Sequence, residues 1–115
     1  MTTKTRTRHK KRHPDAAILA ATIQQVVAAA QPEKIVLFGS AARGTMGPDS
    51  DLDLLIIKAG PFNRHRVTTA IYRNLSGDVA VDAIVVTPEE VERYRDSPSM
   101  AVCPALRGGR VVYET

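Results

Sequence analysis

The chain has 115 residues, 43% hydrophobic, 24% charged and only 4% aromatic, with no Trp. That is the length and composition of one globular domain whose core must be built from Val, Ile, Leu and Ala. A lone cysteine, Cys103, excludes an internal disulfide, no Cys/His grouping has zinc-finger spacing, and no apolar run approaches the ~18 residues of a membrane span. The formal charge of +4 is uneven. Six of the sixteen basic residues (Lys4, Arg6, Arg8, Lys10, Lys11 and Arg12) lie in the first thirteen positions, which hold none of the twelve acids, so residues 14–115 carry a net −2. A basic tail on a slightly acidic body is a different object from a basic fold built to grip nucleic acid. No long apolar stretch follows the basic start, so no secretory signal is expected and the cytoplasm is the expected compartment.

Residues 1–13 read as a disordered basic tail and residues 14–115 as the folded domain. Pro14 and Asp15 open a helix to about Ala30, with Leu19, Ile23, Val26 and Ala30 on one face, and Pro32 stops it. Residues 35–38 form a short apolar strand ended by Gly39. Residues 40–44 suit one or two helical turns, and 45–50 are turn chemistry throughout. A second strand covers 52–57. Residues 63–75 form a helix with Val67, Ile71 and Leu75 at four-residue spacing, and 79–86 form a third strand. Thr87-Pro88-Glu89-Glu90 is a helix start in which Thr87 caps, Pro88 takes the first helical position and Glu90 completes a capping box. That helix runs to about Asp96. A loop begins at Ser97-Pro98, and 111–113 form a short edge strand. Alternating strands and helices give an α/β (α+β) class, a small mixed sheet flanked by helices.

Three pieces carry chemistry. At Gly39-Ser40 a strand runs into a short helix. Gly lets backbone approach a ligand closely, free N–H groups favour anions, and Ser40 adds a hydroxyl. At Asp51-Leu52-Asp53, residues i and i+2 of a strand point to the same face, so two carboxylates converge. Like charges raise one another's pKa unless a cation sits between them, and an all-oxygen donor set suits Mg²⁺ or Mn²⁺. Asp82 stands inside the apolar run 79–86, where a buried lone carboxylate is expensive unless paired or bound to metal; at a strand end it would be exposed. Beside the Asp51/Asp53 strand it completes a carboxylate triad. Singly, each piece has a plainer reading as a turn, a solvated pair or an exposed strand end; together they point to one site.

The stretch 37–44 (LFGSAARG) followed by 47–55 (GPDSDLDLL) resembles the DNA polymerase β-like nucleotidyltransferase superfamily. That family's pattern is Gly-Ser, ten residues, Asp-x-Asp and a third acid on a later strand, matched by Gly39, Ser40, Asp51, Asp53 and Asp82. The Ala42-Arg43-Gly44 that follows Gly-Ser, Thr87-Pro88-Glu89 after the third acid, and the ending 105–114 are similar to the minimal nucleotidyltransferases (MNT), the antitoxin partners of HEPN toxins. The resemblance covers residues 33–114 and implies a palm-like fold.

It also implies a reaction. A hydroxyl attacks the α-phosphorus of ATP and pyrophosphate leaves, with two Mg²⁺ ions about 4 Å apart at the attacking and leaving oxygens. Asp51 and Asp53 would hold both ions. Asp82 would hold the catalytic one and help deprotonate the hydroxyl. Gly39 and Ser40 would bind phosphates. Arg43 would neutralise phosphate charge or form a salt bridge at its helix end, and Ser50 would bind near the nucleotide or shape the turn before the acids. For MNT relatives the implied acceptor is a tyrosine of a HEPN ribonuclease, which AMP transfer silences. Alternatives are transfer to a small molecule, as in aminoglycoside nucleotidyltransferases, and a non-catalytic module that binds its partner by surface complementarity. Arg64-His65-Arg66 suits a phosphate, a partner or a solvated helix face. His9 and His13 would share a face only if the tail were helical. Cys103 reads as an inert buried thiol, and Tyr72, Tyr94 and Tyr113 as packing residues. The basic tail offers at most a salt-sensitive contact to RNA or an acidic partner.

Overall fold

A computed structural model describes residues 13–47, 50–98, 100 and 102–115. The tail residues 1–12, with His9, and the turn residues Pro48 and Asp49 lie outside the described residues.

Helix α1 (Ala16–Ala30) starts where Asp15 accepts hydrogen bonds from the Ala17 and Ile18 amides at 2.9 and 3.1 Å. These satisfy two of the donors that every helix start leaves open. The helix ends at Gln31, which takes a left-handed conformation and donates its N–H to the Val27 carbonyl. Thr22 lies on the buried face, its hydroxyl donated to the Ile18 carbonyl at 2.8 Å, so it does not interrupt the apolar stripe.

Strands β1 (Lys34–Phe38) and β2 (Leu52–Ile57) pair antiparallel, with the short helix α2 (Gly39–Arg43) between them. Helix α3 (Arg64–Asn74) carries the chain to β3 (Val81–Val86), which pairs parallel with β2. A parallel neighbour needs such a crossover. Helices α4 (Pro88–Tyr94) and α5 (Val102–Gly108) follow, and β4 (Arg110–Glu114) returns antiparallel to β1. The sheet order is β3-β2-β1-β4. It is the small mixed sheet expected from the sequence.

Period-two alternation divides the core between two faces. Ile35, Leu37, Leu52, Leu54, Ile56, Ala83 and Val85 pack against Val26 and Ala30 of α1 and Ile71 of α3. Val36, Leu55, Ile57 and Val86 pack against Val102 and Ala105 of α5, with Val91 and Tyr94 of α4 beside them. The capping box at α4 is formed as the sequence implies. Thr87 Oγ1 accepts from the Glu90 amide, and Glu90 Oε1 accepts from the Thr87 amide.

Two expectations are corrected. Residues 102–108 are a helix rather than part of a loop. Pro104 is the third residue of that helix, in the first turn, where no amide hydrogen is needed for an intrahelical bond. Strand β3 begins at Val81 rather than Val79, because a Ser76–Asp78 turn, closed by a 2.8 Å hydrogen bond from the Ser76 hydroxyl, occupies the approach.

Candidate functional site

The alternation that divides the core also places the acids. Asp53 belongs with Leu55 and Ile57, and Asp82 with Ile84 and Val86, so both fall on the α5 side of the sheet. In the parallel register Asp53 stands opposite Asp82, on strands whose spacing is roughly 4.8 Å. In the antiparallel register Asp53 also stands opposite Phe38, the last residue of β1. The turn into α2 therefore comes directly over the Asp53 carboxylate.

That proximity explains Gly39. Its φ is +73°, in the left-handed region, and a Cβ built there would run into Asp53 Oδ2. Any other residue would strain the backbone and displace the carboxylate. Ser40 follows, half-buried, its carbonyl accepting the Gly44 and Thr45 amides and closing the short helix. Its hydroxyl has no protein partner among the described residues.

Asp53 is the electrostatic centre. Partial burial pushes its pKa up, and the Asp82 and Asp51 carboxylates push it further, while the Arg43 guanidinium pulls it down. Arg43 sits in the last turn of α2, exposed, and makes no ion pair among the described residues. Among the described residues it is thus not neutralised at its helix end, and its charge acts on Asp53. Ser50 shapes the approach to Asp51. Its Oγ accepts the Gly47 amide at 2.9 Å, and its own amide donates to the Gly47 carbonyl at 3.2 Å. Asp51 is exposed.

Of the two readings of Asp82, buried within an apolar strand or exposed at a strand end, the structure shows the second: it is exposed. Because β3 starts only at Val81, Asp82 is its second residue and lies at the open end of the sheet. Its carboxylate makes no hydrogen bond or ion pair among the described residues.

Among the described residues no three His, Cys, Asp or Glu side chains stand close enough to hold one metal ion between them. The donor set nevertheless fits Mg²⁺ or Mn²⁺ bound together with a triphosphate. Mg²⁺ is usually held by one or two carboxylates plus phosphate oxygens and water. The Asp53–Asp82 pair supplies the carboxylates, and the mutual repulsion that raises Asp53 is what a cation would relieve.

The other candidates lie elsewhere. Arg64 ties α3 to α4 and β3, with Nη2 2.7 Å from Glu90 and Nη1 donating to the Val85 carbonyl at 2.9 Å. His65 and Arg66 line a groove of about 580 Å³ between α1 and α3, on the opposite face of the sheet from the acids. The His13 ring packs against Gly44. Cys103 is buried. Tyr94 packs beside α5 and Tyr113 against the α1 face. Tyr72 departs from a packing role. It is 43% exposed, and its hydroxyl accepts the Ala83 amide at 2.8 Å. No sequence pattern marks this contact, because it depends on how α3 lies along the sheet edge. No helix among the described residues is long and apolar enough to cross a membrane.

Comparison with known proteins agrees with the geometry. The nucleotidyltransferase domain family matches residues 19–103. A protein from Sulfolobus solfataricus assigned as a nucleotidyltransferase superposes with a TM-score of 0.59 at 22% identity, over 85% of this chain and 78% of that one. A toxin–antitoxin complex with AMP-PNP contains a chain similar at TM-score 0.54 and 23% identity, over 83% and 73%. A variant of a toxin–antitoxin named MntA–HpeT gives 0.53 and 22%, over 83% and 73%. At such identities these structures speak for the fold alone. No curated protein matches the sequence significantly. The family match runs from within α1 through α4 to the start of α5, and so includes the frame that brings the Gly39 turn over Asp53. The chain thus belongs to the nucleotidyltransferase domain family.

Proposed function

We propose that this protein transfers AMP from ATP to a hydroxyl of a partner protein, a tyrosine of a HEPN-type toxin, and so acts as an antitoxin. The observation that carries the chemistry is the Asp53–Asp82 register pair beneath the Gly39 turn. Support for the biological setting comes from the toxin–antitoxin structures among those it resembles, one of them holding AMP-PNP.

Each group has a task. Asp53 and Asp82, with Asp51 beside them, would hold Mg²⁺ or Mn²⁺. When bound, these ions supply Lewis-acid stabilisation of the attacking and leaving oxygens. Gly39 allows the backbone its close approach to Asp53, and the Ser40 hydroxyl, with no partner among the described residues, would donate to a phosphate. Arg43 offsets the charge that gathers when a triphosphate approaches three acids. Asp82, exposed and unpaired, is the carboxylate best placed to accept the proton of an incoming hydroxyl. The site is an open shelf at the sheet end, which suits an acceptor carried on another protein. Most of the rate gain would come from positioning and preorganised charge.

The test uses α-labelled ATP, Mg²⁺ and a HEPN-type toxin as candidate partner. The proposal expects label on the toxin, mapped by mass spectrometry to a tyrosine. Label on a small molecule alone, or none on any protein with Mg²⁺ and Mn²⁺ both tried, would refute it.

A further inference from the structure

Asp82 poses a mechanical problem. Among the described residues its carboxylate makes no hydrogen bond or ion pair, so its place follows the backbone of β3. Yet β3 is the outer strand of the sheet, with a ladder to β2 on one side only. The start of an edge strand is where pairing frays first.

One contact answers this. The amide of Ala83, the residue after Asp82, donates to the Tyr72 hydroxyl at 2.8 Å. Tyr72 itself stands on firm ground. Its neighbour Ile71 is fully buried. Two residues on, Asn74 donates from Nδ2 to the Gln25 carbonyl at 2.8 Å, and the Ser76 amide donates to Gln25 Oε1 at 3.1 Å, so the end of α3 is tied to α1. The tyrosine is therefore a strut from a pinned helix to the free edge of the site strand. With the residue 43% exposed, burial of the ring does not account for its placement; the hydroxyl does.

We propose that Tyr72 is a positioning residue for Asp82: through the Ala83 amide it fixes the start of β3 so that Asp82 stays in register with Asp53. It touches neither nucleotide nor acceptor, because α3 lies on the face of the sheet opposite to the one the acids occupy. This inference rests on the reading of Asp53 and Asp82 as the cation-holding pair. Groups that orient metal ligands from behind typically change metal affinity 10–100-fold when removed.

The test measures Mn²⁺ binding to the full chain with saturating AMP-PNP, by electron paramagnetic resonance of free Mn²⁺, for the wild type, Tyr72→Phe, Tyr113→Phe and Asp53→Asn. Tyr72→Phe should weaken Mn²⁺ about tenfold and Tyr113→Phe should leave it unchanged, while Asp53→Asn removes it. Unchanged Mn²⁺ affinity in Tyr72→Phe, with loss in Asp53→Asn, overturns the inference and leaves the site intact. Wild-type affinity in Asp53→Asn overturns the site reading, and the inference with it. Hydrogen exchange of the wild-type protein gives an arm that needs no variant. The Ala83 amide should be protected although it faces a sheet edge, and exchange at the rate of a free edge amide would overturn the contact itself.

Discussion

Two charged corners of this molecule are built in opposite ways. Where α3, β3 and α4 meet, Arg64 pairs with Glu90, and Glu90 also closes the capping box with Thr87. The Arg64 hydrogen bond leads in holding the Glu90 carboxyl below its usual range, and the same contact raises Arg64. At the strand ends, partial burial and two further acids, Asp82 and Asp51, push Asp53 up, and among the described residues the exposed Arg43 acts against them. The first corner favours the fold by its charges. The second works against it, while the β2–β3 register keeps Asp53 opposite Asp82. On the proposed reading, a bound cation would relieve the repulsion that Asp82 and Asp51 exert on Asp53.

The comparison breaks most sharply at Asp53. Replacing Asp51 and Asp53 together with Asn should lower AMP transfer at least about 10³-fold, since groups that act as a unit fail together. The same change should raise the melting temperature of the metal-free protein. The sign follows from linkage: a carboxyl whose folded pKa is raised costs stability once pH exceeds that value, and Asn removes the ionised form. A calorimetric scan without metal reads this directly, and a fall in melting temperature would place Asp53 among the residues that stabilise the fold.

Next in size is Gly39→Ala. The left-handed φ and the overlap with Asp53 Oδ2 should together cost about 1–3 kcal/mol in urea unfolding and reduce transfer as the carboxylate is displaced. At the paired corner, Thr87→Ala should cost about 1 kcal/mol, the usual value of an N-cap, and leave transfer unchanged. The Glu90 contribution has the opposite pH sense to that of Asp53. It is present above the unfolded carboxyl value and lost as pH falls through the lowered folded value, so Glu90→Gln should flatten the acid limb of the stability curve. The smallest effect is Arg43→Gln. It should let the Asp53 pKa rise further in the metal-free protein, seen as a shift of the Asp53 side-chain carbon titration to higher pH.

Much of this was legible in the chain because the local signals were strong. Leu52–Ile57 is bounded by turn chemistry and by Gly60-Pro61, and the strand occupies those residues. Thr87, Pro88 and Glu90 each favour the same helix start, and the capping box formed. The spacing from Gly39-Ser40 to Asp51 and Asp53 singled out residues that the β1–β2 hairpin then folds together. Failures came where a local signal competes with geometry. The loop that begins at Ser97-Pro98 gives way to a helix at 102–108, in whose first turn Pro104 is tolerated. Asp82 stays open in the sequence between a buried and an exposed reading, because its exposure depends on where the β2–β3 ladder begins. Tyr72 shows only an aromatic ring at helical spacing. Its partner is an amide that becomes available because β3 lies at the edge.

The most direct test of the account is transfer of label from α-labelled ATP to the cognate toxin by the wild type and by Asp53→Asn, in parallel, with Mg²⁺ present. The account predicts stoichiometric labelling by the wild type and none above background by a folded Asp53→Asn protein. Labelling by Asp53→Asn at the wild-type rate would show that the register pair beneath Gly39 is not where the chemistry occurs.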